Sequence, residues 1–299
     1  MTDAIFALPI FERVAIIGFG LIGSSLARAI KAGGLAKEIV ACDSSADARA
    51  TIERLALADK VTGDPAEAVQ GADLVVFATP LGAYAEIAKQ IAAALAPGTI
   101  VSDVGSVKGP VVRDLPPLLP DHVQLVPGHP IAGTENSGPE SGFETLFKGR
   151  WFIITPPPGT DPEAIRKVSD LWSGCGSLIE IMEPAHHDKV LGITSHLPHL
   201  IAYTIVGTAA NLEEDAKAEV IKFSASGFRD FTRIAASDPT MWRDVFLNNR
   251  EAVLEMLQRF TEDLTALQRA IRFGEGDTLF ELFSRTREIR RRIIDAHQA

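Results

Sequence analysis

Sulfur is scarce in this sequence, with two cysteines and four methionines among 299 residues. Cys42 and Cys175 have neither metal-ligand spacing nor the density of a disulfide framework, so both read as packing residues in a reducing, cytoplasmic setting. Positive charge is in short supply too: 29 basic against 39 acidic side chains give a formal net charge of −10, which argues against nucleic acid or an anionic membrane as partner. An anionic substrate must then find a local basic pocket. No apolar run approaches the roughly 18 residues of a membrane span, and residues 1–11 lack the basic segment and cleavage site of a signal peptide. Internal repeats and low-complexity linkers are missing as well. What the chain has in quantity is apolar residue, 46% of the total, enough for the core of one large domain or two ordinary ones.

One stretch organises the rest. A strand-like run from Val14 meets Gly18-Phe-Gly20-Leu21-Ile22-Gly23, a G-x-G-x-x-G turn opening a helix over about 21 to 31. Gly18 permits the tight turn, Gly20 lets the backbone approach a pyrophosphate, and Gly23 lets the helix pack closely on the sheet. Leu21 and Ile22 lie at the helix N-terminus, where free N–H groups and the helix dipole favour an anion. A second strand from Glu38 to Cys42 ends at Asp43, where a carboxylate can accept hydrogen bonds from an adenosine ribose. With no arginine beside it, Asp43 would repel a 2′-phosphate, so NAD is the expected cofactor rather than NADP, although Ser44 and Ser45 could still bond a phosphate.

Strands and helices then alternate: a helix over about 46 to 58, a short segment at 60–62, a small helix at 65–69, and an apolar strand over 72–78 that ends in Thr79-Pro80. A helix over 83–95 and a strand over 99–102 lead into Asp103-Val-Gly-Ser106-Val-Lys108, followed by a helix over 107–118 and a strand over 123–126. Strands at 151–155 and 177–181 flank a helix over 162–172 and complete an α/β domain near residue 183. Ligands of open parallel sheets sit beyond the carboxyl ends of the strands, so Thr79, Pro80, Ser102, Asp103, Ser106 and Lys108 should converge beside the glycine turn. From residue 184 the pattern turns all-helical, with helices expected over 185–211, 213–235, 239–271 and 276–297. The expected architecture is therefore a Rossmann-type doubly wound, mainly parallel sheet over residues 1–183 and an all-α domain over 184–299. Long apolar helices exceed what a small helical domain buries alone, which predicts a homodimer through that half.

Among seven histidines, His186, His187, His196 and His199 could suggest a metal, but Pro198 interrupts the helical register and no zinc spacing is present, so no metal is expected. His129 differs by position: it follows a strand and precedes Pro130, which biases it towards extended backbone. A histidine there can take the proton of a hydroxyl as hydride leaves the same carbon, since a reference pKa of about 6.5 leaves neutral imidazole near pH 7. Arg229 and Arg233 lie four apart and share a helix face. One can grip a carboxylate; the competing reading is an ion pair with Asp230 or a surface charge.

Taken together, Gly18-Phe-Gly-Leu-Ile-Gly23, Asp103-Val-Gly-Ser-Val-Lys-Gly109, Gly128-His-Pro-Ile-Ala-Gly-Thr-Glu135, Thr194-Ser-His-Leu-Pro-His199 and Gly227-Phe-Arg-Asp-Phe-Thr-Arg-Ile234 with Asp238-Pro-Thr-Met-Trp242 resemble the prephenate/arogenate (cyclohexadienyl) dehydrogenases. The resemblance runs from about Arg13 to the last helices. It implies that His129 accepts a hydrogen bond from the ring 4-hydroxyl and that Ser106 orients His129 and the substrate near the nicotinamide. It also implies that Lys108 helps build the site, that His196 is a second active-site histidine, that Arg229 binds the substrate carboxylate, and that Glu135 lies at the pocket entrance. The implied reaction is oxidative decarboxylation of prephenate to 4-hydroxyphenylpyruvate or of arogenate to tyrosine. Hydride leaves C4 to NAD, the hydroxyl becomes a carbonyl-like oxygen, and the ring carboxylate departs as CO2. No chorismate mutase domain is expected before Arg13 and no regulatory domain after the helices, so feedback through such a domain is not expected. A β-hydroxyacid or pyrroline-carboxylate type reductase would share the architecture but not the histidine-proline motif, and a non-catalytic NAD-binding redox sensor would have no need of Ser106, His129 and Arg229 together.

Overall fold

The computed structural model describes residues 9–211, 222 and 225–295. Strands β1 (Phe11–Ile17), β2 (Ala36–Cys42), β3 (Lys60–Thr62), β4 (Leu74–Phe77), β5 (Ile100–Asp103) and β6 (Gln124–Val126) form one parallel sheet in the order β3-β2-β1-β4-β5-β6. The strand order reverses between β1 and β4, the switch point at which a doubly wound sheet opens a crevice beyond its carboxyl ends. Successive residues of β1 serve opposite faces. Val14 and Ile16 pack with α1 (Leu21–Gly33) and α6 (Pro162–Gly174), while Ala15 and Ile17 pack with α3 (Pro65–Ala68), α4 (Tyr84–Ile91) and α5 (Gly109–Asp114). Burial on both faces is why these strands read as unbroken apolar runs. The fold is the Rossmann-type sheet expected, followed by helices.

A second, three-stranded sheet stands apart from the first: β7 (Gly128–Pro130) runs antiparallel to β8 (Trp151–Ile154), which runs parallel to β9 (Leu178–Ile181). The extended backbone expected at His129, ahead of Pro130, is that of strand β7. Gly128 is required here, since a Cβ on it would lie 2.0 Å from Phe152 Cζ, and that ring is stacked on Trp172 with centroids 3.9 Å apart. His129 is thus set in a strand clamped over an aromatic core.

The helix expected over 185–211 is present: α7 (Pro184–Leu191) passes through a widened π turn at Gly192–His196 into α8 (Leu197–Ala210), with Pro198 inside it. The wider turn just ahead of Pro198 accommodates a residue with no N–H and a ring that would crowd the preceding turn. The composite helix Pro184–Ala210 has 27 residues and, by length and composition alone, is apolar enough to cross a membrane. The sequence reading did not foresee this, because threonine, serine and histidine interrupt the apolar run without adding charge.

The helical half departs from the prediction at Asn249, whose backbone leaves the helical region and breaks the helix predicted over 239–271 into α10 (Pro239–Asn248) and α11 (Arg250–Phe273). Much of the helix predicted over 213–235 lies outside the described residues; its described end is α9 (Ser226–Thr232) and a 3-10 turn at Arg233–Ala236. The last helix is α12 (Gly276–Asp295). By compactness the chain falls into a unit up to Arg250 and a unit Glu251–Ala299.

Candidate active site

The glycine turn is sterically committed. Gly18 has φ +97°, and a Cβ there would lie 2.7 Å from the Ala78 carbonyl; a Cβ on Gly23 would lie 2.0 Å from the Gly18 oxygen. Gly20, by contrast, faces open space. Helix α1 has no side-chain cap, which leaves the N–H groups of its first turn, where Leu21 and Ile22 sit, free for an anion. The Asp43 carboxylate is tied to this turn: Oδ2 accepts from the Phe19 N–H at 2.9 Å and Oδ1 from the Ser45 N–H at 2.9 Å. Thr79 lies against Gly18 with its hydroxyl buried and unbonded, and Pro80 is exposed just beyond it. A cradle that side chains would fill, an uncapped helix end and an anchored carboxylate fit a dinucleotide.

One expectation about this end is corrected. An arginine does flank Asp43: Arg49 Nη1 donates to the Asp43 carbonyl at 2.8 Å and to the Ser44 carbonyl at 3.0 Å. It reaches back from within α2 (Ala46–Arg54), so inspection of adjacent residues misses it.

Ser102 and Asp103, expected beside the cofactor, are both buried, and both carboxylate oxygens of Asp103 accept hydrogen bonds from the protein. Its Oδ2 accepts from Lys108 Nζ at 2.5 Å, from the Gly105 N–H at 2.8 Å and from the Tyr84 hydroxyl at 3.2 Å, and its Oδ1 accepts from the Gly128 N–H at 3.2 Å. Lys108 Nζ also donates to the Gly128 carbonyl at 2.7 Å. Burial pushes the Lys108 ammonium pKa down, against the opposing pull of Asp103. Lys108 builds the site from inside by holding Gly128, the residue before His129, to the end of β5.

His129 is 8% exposed, and its Nδ1 lies 2.9 Å from His187 Nε2. His187 Nδ1 in turn lies 2.8 Å from Asp188 Oδ1. Burial lowers the His129 pKa well below its ordinary value, helped by His187, Lys108 and His196, so the ring is neutral. Ser106, which the resemblance casts as the residue orienting His129, is half-buried nearby in sequence to Lys108, but the ring's bonded partner is His187. The sequence reading passed over His187 as one of several ordinary histidines; its signal was the adjacent aspartate in the first turns of a proline-started helix.

His196 is buried, and Asn249 Nδ2 donates to its Nδ1 at 2.9 Å and to the Asp188 carbonyl at 2.8 Å. That contact puts the His196 proton on Nε2, which is buried without a full hydrogen bond, the Ser106 carbonyl contributing only weakly. Burial brings the His196 pKa down to about 4. The break at Asn249 is explained by the same two bonds. Trp242 stacks on His199 with centroids 3.6 Å apart, and its buried indole N–H has no partner. On α9, Arg229 is exposed and makes no ion pair among the described residues, whereas Arg233 pairs with Glu135 at 2.8 Å. Glu135 is therefore engaged at the surface by an arginine. Among the described residues no group of three or more histidine, cysteine or acidic side chains could hold a metal ion.

Comparison with known proteins gives this geometry its family. Residues 26–181 match the prephenate dehydrogenase nucleotide-binding domain, and residues 183–285 match the prephenate dehydrogenase dimerization domain. The chain is 42% identical to a cyclohexadienyl dehydrogenase of Zymomonas mobilis over 283 residues, covering 95% of this chain and 96% of that one. Among solved structures, prephenate dehydrogenase from A. aeolicus in complex with hydroxyphenyl propionate and NAD+ superposes with a TM-score of 0.88 at 33% identity, over 97% of this chain and 100% of that chain. Synechocystis arogenate dehydrogenase gives a TM-score of 0.77 at 27% identity, over 93% and 98%. With both halves matched and the glycine turn and histidine strand in place, the chain belongs to the prephenate dehydrogenase family.

Proposed function

We propose that this chain catalyses NAD-dependent oxidative decarboxylation of prephenate, of arogenate or of both. The observation that carries the reading is the neutral imidazole of His129, held through Gly128 and Asp103 to the carboxyl edge of a sheet whose first turn is shaped for a dinucleotide. NAD, when bound, supplies the hydride acceptor. The chain's own residues supply the rest. His129 accepts the hydroxyl proton as C4 loses hydride, a task for a positioned base. His196 offers an Nε2–H donor in a water-poor setting, and Arg229 offers a guanidinium, without an ion pair among the described residues, for a carboxylate. Departure of CO2 and aromatisation drive the reaction forward, so the protein's work is positioning and electrostatics.

The same reading includes a homodimer through the second half and a cytoplasmic setting. Exposed Leu264, Ile271, Phe273, Phe280 and Phe283 on α11 and α12 support pairing. Both cysteines are buried free thiols, their pKa values pushed up to about 12 by burial, which suits a reducing compartment. The deciding experiment is NADH formation by the purified chain with prephenate and with arogenate in turn, alongside sedimentation equilibrium for the dimer. Turnover of neither substrate overturns the assignment, and the ratio of the two kcat/KM values names the preferred one.

A further inference from the structure

His129, His187 and Asp188 form a line of three polar side chains. The Asp188 carboxylate is held by groups that can only donate to it: the Lys108 N–H at 2.8 Å on Oδ1 and the Gly109 N–H at 2.7 Å on Oδ2. Oδ1 also faces His187 Nδ1 at 2.8 Å. A carboxylate acts only as an acceptor, so His187 Nδ1 carries the proton and His187 Nε2 presents a lone pair. The nitrogen 2.9 Å from that lone pair is His129 Nδ1, which must therefore donate. His129 Nε2 is left as the ring's acceptor, since the ring's side-chain bond among the described residues is made through Nδ1. The protonation pattern of His129 is thus dictated by a carboxylate two side chains away, itself pinned to the backbone where α5 begins.

We propose that His187, held by Asp188, is a positioning residue for the dehydrogenation: it locks His129 in the Nδ1–H tautomer so that Nε2 meets the substrate hydroxyl as an acceptor. The inference rests on the function proposed above. In the step itself the substrate O–H bond breaks, its proton adds to His129 Nε2, and the electron pair left on oxygen forms the carbonyl as C4 gives up hydride to NAD. His129 keeps its Nδ1–H throughout, donated to the His187 Nε2 lone pair. The positive charge arriving on His129 is then met by a lone pair, with the Asp188 carboxylate beyond it. This is the logic by which a buried aspartate fixes the tautomer of a catalytic histidine. His187 itself is fully buried and does not reach the open face of the His129 ring, so it acts only through His129.

Two measurements test this. Long-range proton–nitrogen correlation spectra of protein labelled with nitrogen-15 at histidine, with His129 assigned by its absence in His129→Asn, should show His129 protonated at Nδ1 and bare at Nε2. An Nε2-protonated His129 in the wild-type protein overturns the proposal without any turnover being measured. The second is kinetic. His187→Leu keeps the bulk but removes the acceptor, and should lower kcat on the order of 100-fold while KM and the NAD Kd stay within about threefold. His187→Gln can turn its amide oxygen to His129 and its amide N–H to Asp188, and should recover kcat to within about tenfold of wild type. Wild-type kcat in His187→Leu, or a Gln variant no better than the Leu variant, overturns the proposal. Failure of the wild-type chain to oxidise prephenate or arogenate would sink the function instead, and the spectra would still decide the tautomer.

Discussion

Lys108 and Asp103 form an ion pair, 2.5 Å between Nζ and Oδ2, in which neither side chain has any exposed surface. They are joined across a loop at the end of β5, and their shared partner is Gly128, whose N–H goes to Asp103 and whose carbonyl takes the lysine. The pair therefore sets where β7, and with it His129, lies relative to the main sheet. A charge so completely removed from water is tolerated because the Asp103 carboxylate and the Gly128 carbonyl face the ammonium at hydrogen-bond distance.

Lys108→Met should consequently be a stability variant first. It leaves the Asp103 carboxylate buried without its cation, a change that typically costs about 3 to 5 kcal/mol. Urea unfolding of the two proteins at pH 7.5 measures it. If Lys108 instead reached substrate from solvent, the Met variant would keep its unfolding midpoint and lose only affinity.

How much of this was legible before the structure depends on distance along the chain. The turn at Gly18 to Gly23 and the strand leading to Asp43 are local, each a few residues long, and they stand where the sequence placed them. Position at the end of a strand likewise pointed to the stretch from Asp103 to Lys108 and to His129. What could not be read was who bonds whom. Asp103 looked like a cofactor ligand because nothing in its neighbourhood reveals a lysine folding back inside the protein. Asn249 looked like one polar residue in a long helix, yet its two bonds to residues about fifty positions and more upstream break that helix. Pro130 pointed to extended backbone at His129, but the partner strand β8 that pairs with it could not be read from the sequence.

Asp43 should govern the choice of dinucleotide. Its carboxylate stands at the end of β2 with Arg49 folded behind it, and a carboxylate there repels a 2′-phosphate. Asp43→Asn keeps an oxygen for the Phe19 N–H but removes the charge, while Arg49, Ser44 and Ser45 remain. Removing a repulsion of about 1 to 2 kcal/mol should raise kcat/KM for NADP roughly tenfold or more. Steady-state kinetics with both cofactors checks this, and wild-type preference for NADP would contradict the role given to Asp43.

Arg229 should matter to substrate and hardly to NAD. Of the two arginines on this stretch Arg233 is engaged with Glu135, and Arg229 is the one without an ion pair among the described residues. Arg229→Gln removes the charge and the two-pronged donor. Loss of one partner of a desolvated charge pair costs about 2 to 5 kcal/mol, so kcat/KM should fall by roughly 30-fold to several thousand-fold. Most of it should appear in KM, because the substrate carboxylate is charged before and during reaction alike. An unchanged KM would pass the role to Arg233.

Acid should weaken the fold through its histidines before it touches the carboxylates. His129, His187, His196 and His199 all have lowered pKa values, with burial the first cause in each. Around them stand Lys108, Asp103, Asp188 and Arg233, with Asp188 and Asp103 partly opposing the shift at His187 and Asp188 doing so at His196. For a histidine whose folded pKa lies below its unfolded value near 6.5, the unfolded chain binds a proton that the native state refuses. The stability contributed by the neutral ring is then present above pH 6.5 and is lost as pH falls towards the folded pKa. His196, brought from 6.5 to about 4, should by itself account for about 1.5 kcal/mol between pH 6.5 and pH 5. The urea midpoint should therefore drop between pH 7.5 and pH 5, and His196→Gln should flatten part of that drop. The kinetic counterpart runs with the same sign. Since His129 must be neutral to accept a proton, the acid limb of kcat/KM should lie below pH 6.5, where an exposed histidine would already be charged. A midpoint that holds or rises on acidification, with an acid limb at or above pH 6.5, would mean that these rings reach water and that the line from Asp188 to His129 is open to solvent.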